Sequence, residues 1–127
     1  MNQKTKNLLI SMGLVVLVVG LIVLLWYSAR SKPISPEVEK LSLCLKEKGA
    51  IMYGAYWCSH CQKQKAEFGE SFKNISYVEC TEKEKECNDA GVVGYPTWIF
   101  PDGTKLSGEQ ELKTLAEKAG CPFPFRN

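Results

Sequence analysis

The sequence predicts an α/β fold: a mixed sheet covered by helices, preceded by one N-terminal transmembrane helix. Three observations carry this reading. Leu8 to Tyr27 is a run of about 20 residues without a charge, long enough at helical rise to cross a hydrocarbon core. Behind it, stretches with helical periodicity alternate with short apolar runs that lack it, which is the pattern of strands between covering helices. Pro101-Asp102-Gly103-Thr104 then separates two short strand-like runs, and a hairpin there makes the sheet mixed.

The apolar run is read as an uncleaved anchor closed at interfacial depth by Trp26 and Tyr27. A cleavable signal peptide is the alternative, with Ala29-Arg30-Ser31 as its small-x-small triplet, but the run exceeds the usual h-region of ~7–15 residues. Two basic residues flank each side, Lys4 and Lys6 against Arg30 and Lys32, so the positive-inside count is tied. The six cysteines decide the orientation, since so many in a small domain fit an oxidising compartment. The resulting layout is a cytoplasmic tail at 1–7, an anchor at 8–27, a linker at 28–35 and an extracytoplasmic domain at 36–127. The domain faces a periplasm, a cell exterior or a thylakoid lumen. Those four basic residues aside, 12 of the 16 Lys and Arg remain from residue 33 onward against 14 Asp and Glu, a balance of −2. That excludes the clustered basic surface of a nucleic-acid binder.

The elements follow in order. Ser35-Pro36 places an N-cap before a proline at the first helical position, Val38, Leu41, Cys44 and Leu45 form the stripe of that helix, and Gly49 stops it. Ala50 to Tyr56 is apolar without helical periodicity and reads as a buried central strand. Ser59 to Phe72 reads as a helix, polar through Gln62 to Lys65, with Ala66, Phe68 and Phe72 on its inner side. Ile75 to Cys80 alternates like a strand, Thr81 caps the charged segment Glu82 to Ala90, and Gly91 ends it. Thr97 to Phe100 and Lys105 to Ser107 are the hairpin strands, and Glu109 to Ala119 is a final helix stopped by Gly120.

The chemistry sits where the central strand meets the next helix. Cys58 and Cys61, three apart at a helix start, bring their sulfurs within bonding reach, and Cys58 stands at the positive end of the helix dipole. His60, the one histidine of the chain, would further stabilise a Cys58 thiolate as an imidazolium. A disulfide whose leaving thiolate is well stabilised is a better oxidant. Cys58 is therefore the nucleophile that forms mixed disulfides, Cys61 the resolving thiol and His60 the tuning residue. No cofactor is needed beyond this redox-active disulfide. A zinc site would need about four ligands, and Cys80 and Cys87 at seven-residue spacing do not supply them, so no metal is expected.

Gly94-Tyr95-Pro96-Thr97 adds a second signal, because a proline just before a strand marks a special turn. A cis bond at Tyr95–Pro96 would present the Tyr95 backbone opposite Cys58, where an extended peptide can pair with it. Trp57, with Tyr56, would border the reactive sulfur as an apolar contact surface. Trp57, Tyr95 and Pro96 are the candidate substrate-binding residues.

Together these residues resemble the thioredoxin superfamily over about Val38 to Gly120, which implies a thioredoxin-like fold. More closely, Met52 to Cys58, Cys61 to Lys65, Tyr77 to Cys80, Gly94 to Trp98 and Ser107-Gly108 are similar to the thioredoxin-like domain fused to bacterial vitamin K epoxide reductase homologues. The resemblance implies that Cys58 and Cys61 pass oxidising equivalents from a quinone-linked membrane enzyme to secreted protein thiols. With one span in place of a helical bundle, this chain would need a separate membrane oxidase, such as a vitamin K epoxide reductase homologue, as partner. Met52 stands where thioredoxin carries a buried acid, a departure from the reductase pattern. The Cys-x-His-Cys pattern instead resembles periplasmic disulfide oxidants and protein disulfide isomerase.

Of the other cysteines, Cys80 ends a strand and Cys87 lies in the next segment, so a short-range structural disulfide fits, and the related fused domains carry a similar pair. A second, relay-type redox pair is the alternative there. Cys44 and Cys121 are left unassigned among 15 possible connectivities. Their helices are expected on opposite sheet faces, which argues against a bond between them, and Cys44 on an apolar stripe also fits a buried thiol. Two other functions compete with the oxidant. A membrane-tethered reductase, in cytochrome maturation or isomerase recycling, would share the fold and reverse the electron flow. A non-catalytic binding module would use only the peptide groove.

Overall fold

The computed structural model describes residues 2–28 and 35–124. The linker expected at 28–35, with the triplet Ala29-Arg30-Ser31, falls almost wholly outside the described residues, as do Met1 and 125–127. The chain divides into two compact units, Met1–Lys32 and Pro33–Asn127. The first is one helix, α1 (Gln3–Ser28), with no buried residue. Its most apolar 18-residue window has a mean hydropathy of 3.2, so by length and composition α1 is a candidate membrane span.

The second unit is a four-stranded mixed sheet with helices on both faces. Its elements are α2 (Pro36–Glu47), β1 (Ile51–Gly54), α3 (Ser59–Phe68), a 3₁₀ turn (Gly69–Asn74), β2 (Ser76–Glu79), α4 (Glu84–Asp89), β3 (Thr97–Ile99), β4 (Lys105–Ser107) and α5 (Leu112–Ala119). The strand order is β2-β1-β3-β4. β1 pairs parallel with β2, Met52 opposite Tyr77, and antiparallel with β3, Met52 opposite Trp98. β3 and β4 form the hairpin, with Trp98 opposite Leu106. Gly103 takes φ 80° in its turn, and the Asp102 carboxylate accepts the Thr104 N–H at 2.9 Å.

The pleat sends alternate strand residues to two separate cores. Met52 and Trp98 join Leu41, Leu45, Phe68, Leu115 and Ala116 in the larger one, so α2, α3 and α5 all cover one face. Tyr53 and Ile99 point the other way, into a smaller cluster with Val78, Cys80 and Cys87. This corrects the expectation that α2 and α5 lie on opposite faces. After the antiparallel hairpin the chain returns to the face that α2 and α3 already occupy, and Cys121, just past Gly120, meets Cys44. The two are joined, S–S 2.11 Å and Cα–Cα 6.0 Å. Cys80 and Cys87 are also joined, S–S 2.01 Å.

Other departures are local. The α-helix after Cys58 ends at Phe68, because Gly69 takes φ 56°, and the chain continues to Asn74 as a 3₁₀ turn. Ala66 is exposed, and Gln64 takes the buried place beside Phe68. The Ser35 hydroxyl donates to the Glu37 carboxylate instead of capping the backbone. Thr81 does not cap α4. Its hydroxyl donates to the Glu79 carboxylate at 2.8 Å, and the helix starts three residues later at Glu84.

Candidate active site

β1 is an interior strand, and its carboxyl end delivers the loop that carries Trp57 and Cys58. Cys58 is the N-cap of α3, in extended conformation at φ −76° and ψ 116°. Its sulfur accepts the Cys61 N–H at 3.2 Å, so a thiol occupies the place that a serine or aspartate oxygen takes at most helix starts. The backbone N–H groups of the first turn, with the helix dipole, favour negative charge at that atom.

Cys58 and Cys61 are a pair of free thiols with different surroundings. Cys58 is 7% exposed, at the edge of the site, whereas Cys61 is fully buried. Burial, with the Cys58 sulfur beside it, pushes the Cys61 thiol up to about 12, so it stays protonated at neutral pH. That asymmetry separates an attacking sulfur from a resolving one.

The Tyr95–Pro96 peptide bond is cis. Tyr95 presents its carbonyl oxygen to Cys58 at 3.6 Å, accepting the thiol's hydrogen. Pro96 is fully buried behind it, and Trp57 meets the Tyr95 ring edge-on at 6.0 Å. Between Trp57–His60 and Val93–Tyr95 lies an open groove of about 480 Å³. Tyr56, Trp57 and Val93 are 68%, 62% and 96% exposed, an apolar rim of the kind that marks a contact surface. The structure thus brings Cys58, Cys61, His60, Trp57, Tyr95 and Pro96 together. Cys80 and Cys87 lie apart in the smaller cluster, and Cys44 and Cys121 join α2 to the end of α5.

Four further groups were not singled out by sequence reasoning. Glu109 places its carboxylate 3.2 Å from His60 Nδ1, across 49 positions of sequence, and so fixes the ring's place. Gln64 is buried and ties α3 to the segment before α5. Its oxygen accepts Trp98 Nε1–H at 3.2 Å and the Gln110 N–H at 2.7 Å, while its amide donates to the Gln110 carbonyl at 2.9 Å. Gly54 lets Cys61 approach β1, since a Cβ there would stand 2.9 Å from the sulfur. Tyr77 packs at the same spot and donates its hydroxyl to Glu79 at 2.7 Å. Glu109 and Gln64 meet partners 34 to 49 positions away, so local spacing held no signal for them.

The thioredoxin family model matches residues 42–119. The chain belongs to the thioredoxin family. It is 48% identical over 102 residues to the thiol-disulfide oxidoreductase LTO1 of Arabidopsis thaliana, which covers 73% of this chain and 27% of that protein. It is also 38% identical over 78 residues to a thioredoxin domain-containing protein 5 homolog of Drosophila melanogaster, covering 51% of this chain and 18% of that one. The chain therefore spans about a quarter or less of the curated relatives it matches. Among solved structures, oxidized mitochondrial thioredoxin 3 of Saccharomyces cerevisiae superposes with a TM-score of 0.41 at 20% identity, over 56% of this chain and 74% of that one.

Proposed function

We propose that this protein is a membrane-anchored thiol–disulfide oxidoreductase that works outside the cytoplasm and passes oxidising equivalents to protein thiols through Cys58 and Cys61. The observation that carries the reading is the asymmetric dithiol: an edge sulfur at a helix N-cap beside the carbonyl that precedes a cis-proline, and a fully buried partner three residues on. A substrate thiolate attacks Cys58 of the oxidised pair, and the electron pair of the broken bond leaves on Cys61. The second substrate thiol then displaces Cys58, releasing an oxidised substrate and the reduced dithiol. Electrons reside in the cysteine pair itself, so no bound cofactor enters the cycle.

His60, held by Glu109, is the tuning residue of the dithiol. The groove beside Tyr95, with Trp57 at its rim, takes the substrate backbone in extended form. α1 is the anchor, with the N-terminus inside and the domain outside, and the two disulfides fit an oxidising compartment. The oxidising equivalents would come from a quinone-linked membrane oxidase, and a vitamin K epoxide reductase homologue suits that part.

The test is trapping in the host. Full-length Cys61→Ala should accumulate mixed disulfides between Cys58 and protein thiols, read as reductant-sensitive adducts, and Cys58→Ala should accumulate none. Equal absence in both variants would refute the exchange mechanism.

A further inference from the structure

One wall of the active-site groove is an arch of backbone. Val93, Gly94 and Tyr95 line the groove, and the chain around them, from Ala90 to Pro96, joins the end of α4 to the start of β3. Val93 is 96% exposed, and a Cβ on Gly94 would meet nothing within 4 Å, so the crown of the arch gains almost no packing of its own. Only the Tyr95 ring packs inward. The place of this wall opposite Cys58 therefore depends on what holds its two feet.

The hairpin holds both. At the foot next to β3, the Thr97 hydroxyl donates to the Gly94 carbonyl at 2.7 Å, and the Gly108 N–H donates to the Pro96 carbonyl at 2.7 Å. At the foot next to α4, the tie is a single side chain from the edge strand β4. Lys105 stands opposite Ile99, so it leaves the sheet on the face where Ile99 packs with Cys80 and Cys87. Its ammonium donates to the Ala90 carbonyl at 2.6 Å and to the Gly91 carbonyl at 3.2 Å. Carbonyls past a helix end lack intrahelical partners, and a cation there also meets the negative end of the helix dipole. Gly91 permits the contact: it takes φ 68°, and a Cβ on it would stand 2.6 Å from Lys105 Nζ. An exposed lysine on an edge strand ordinarily keeps its ammonium in water, where it discourages strand pairing. Lys105 is exposed, yet its charge is turned onto the loop that walls the groove.

We propose that Lys105 is a positioning residue for substrate: by tying Ala90 and Gly91 to the hairpin, it holds the Val93–Tyr95 wall in place for an extended peptide thiol. The inference rests on the exchange reading above. A backbone already in its bound position need not be ordered when a peptide pairs with it, and that saving appears as tighter binding. A small thiol has no backbone to pair and gains nothing from the wall. Lys105 thus favours peptide thiols over small ones without touching the reacting sulfurs.

The test uses the full-length chain in detergent micelles with Cys58 and Cys61 oxidised, and follows their reduction by acid quench, alkylation and mass spectrometry. The reductants are a short unstructured peptide carrying two cysteines and, separately, 2-mercaptoethanol. Lys105→Met keeps most of the side chain's length and removes the donors. It should raise the peptide concentration at half-saturation about fivefold, and leave the limiting rate and the 2-mercaptoethanol rate within about twofold of the parent. Lys105→Arg, which keeps a cationic donor, should restore the parent's half-saturation to within about twofold. Half-saturation unchanged in Lys105→Met, a loss shared equally by peptide and 2-mercaptoethanol, or a loss that Lys105→Arg does not restore overturns the positioning role. A parent chain that oxidises neither thiol overturns the exchange reading itself.

Discussion

The disulfide between Cys44 and Cys121 closes a loop of 77 positions, against 7 for Cys80 and Cys87, and that difference predicts their unequal weight in stability. In the chain-entropy account, cross-linking the longer loop removes about 4.5 kcal/mol of denatured-state freedom, and the shorter one about 2.5 kcal/mol. Burial moderates the gap. Cys80 and Cys87 are 3% and 2% exposed, so replacing both by alanine also leaves small voids worth about 1 kcal/mol. Cys44 is only partly buried. The Cys44→Ala/Cys121→Ala pair should therefore lose about 4–5 kcal/mol and the Cys80→Ala/Cys87→Ala pair about 3–3.5 kcal/mol. The first loss is a large share of the ~5–15 kcal/mol that holds a domain together. Equilibrium urea unfolding of the full chain in micelles measures both, with the fluorescence of buried Trp98 as reporter. A larger loss from the 80–87 pair would refute the reasoning, because it would mean that the denatured chain already keeps α2 near the end of α5.

Gly54→Ala should cost about 1–3 kcal/mol, since its methyl group would meet Cys61 Sγ at 2.9 Å inside the core, and the same urea titration would show it. Gln64→Leu should cost about 2–4 kcal/mol by orphaning Trp98 Nε1–H and the Gln110 N–H and carbonyl; an unfolding midpoint equal to the parent's would contradict that network. Glu79 has a folded-state value below its unfolded one, so its contribution is present above the unfolded value of about 4.3 and is lost as pH falls through the folded value. Glu79→Gln should accordingly flatten the acid limb of a stability-against-pH curve.

What could be read in advance was local. Gly49 and Gly120, the Pro101 to Thr104 turn and the proline after Tyr95 each act within a few residues, and the sheet they frame follows from short apolar runs between them. The helix boundary at Gly69 was missed because Phe72 continues the apolar spacing past it, while the backbone turns there on a positive φ. Gln64 looked like a solvated residue because its hydrogen-bond partners, Trp98 and Gln110, are 34 and 46 positions away. The same distance hid Glu109 from His60. The 44–121 bond was disfavoured by a rule about alternating faces. Three helices share the larger face here, and the smaller one is covered by α4 and the Cys80–Cys87 bond.

The most direct test of the account is the redox equilibrium of the full-length chain in glutathione buffers, with Cys58 and Cys61 followed by thiol labelling and mass spectrometry. The account predicts a reversible two-electron couple confined to this pair, at a potential well above the thioredoxin value of about −270 mV, while Cys44–Cys121 and Cys80–Cys87 stay oxidised. A couple at or below about −270 mV would contradict the oxidising role in favour of a tethered reductase. Absence of any reversible couple would contradict exchange chemistry altogether.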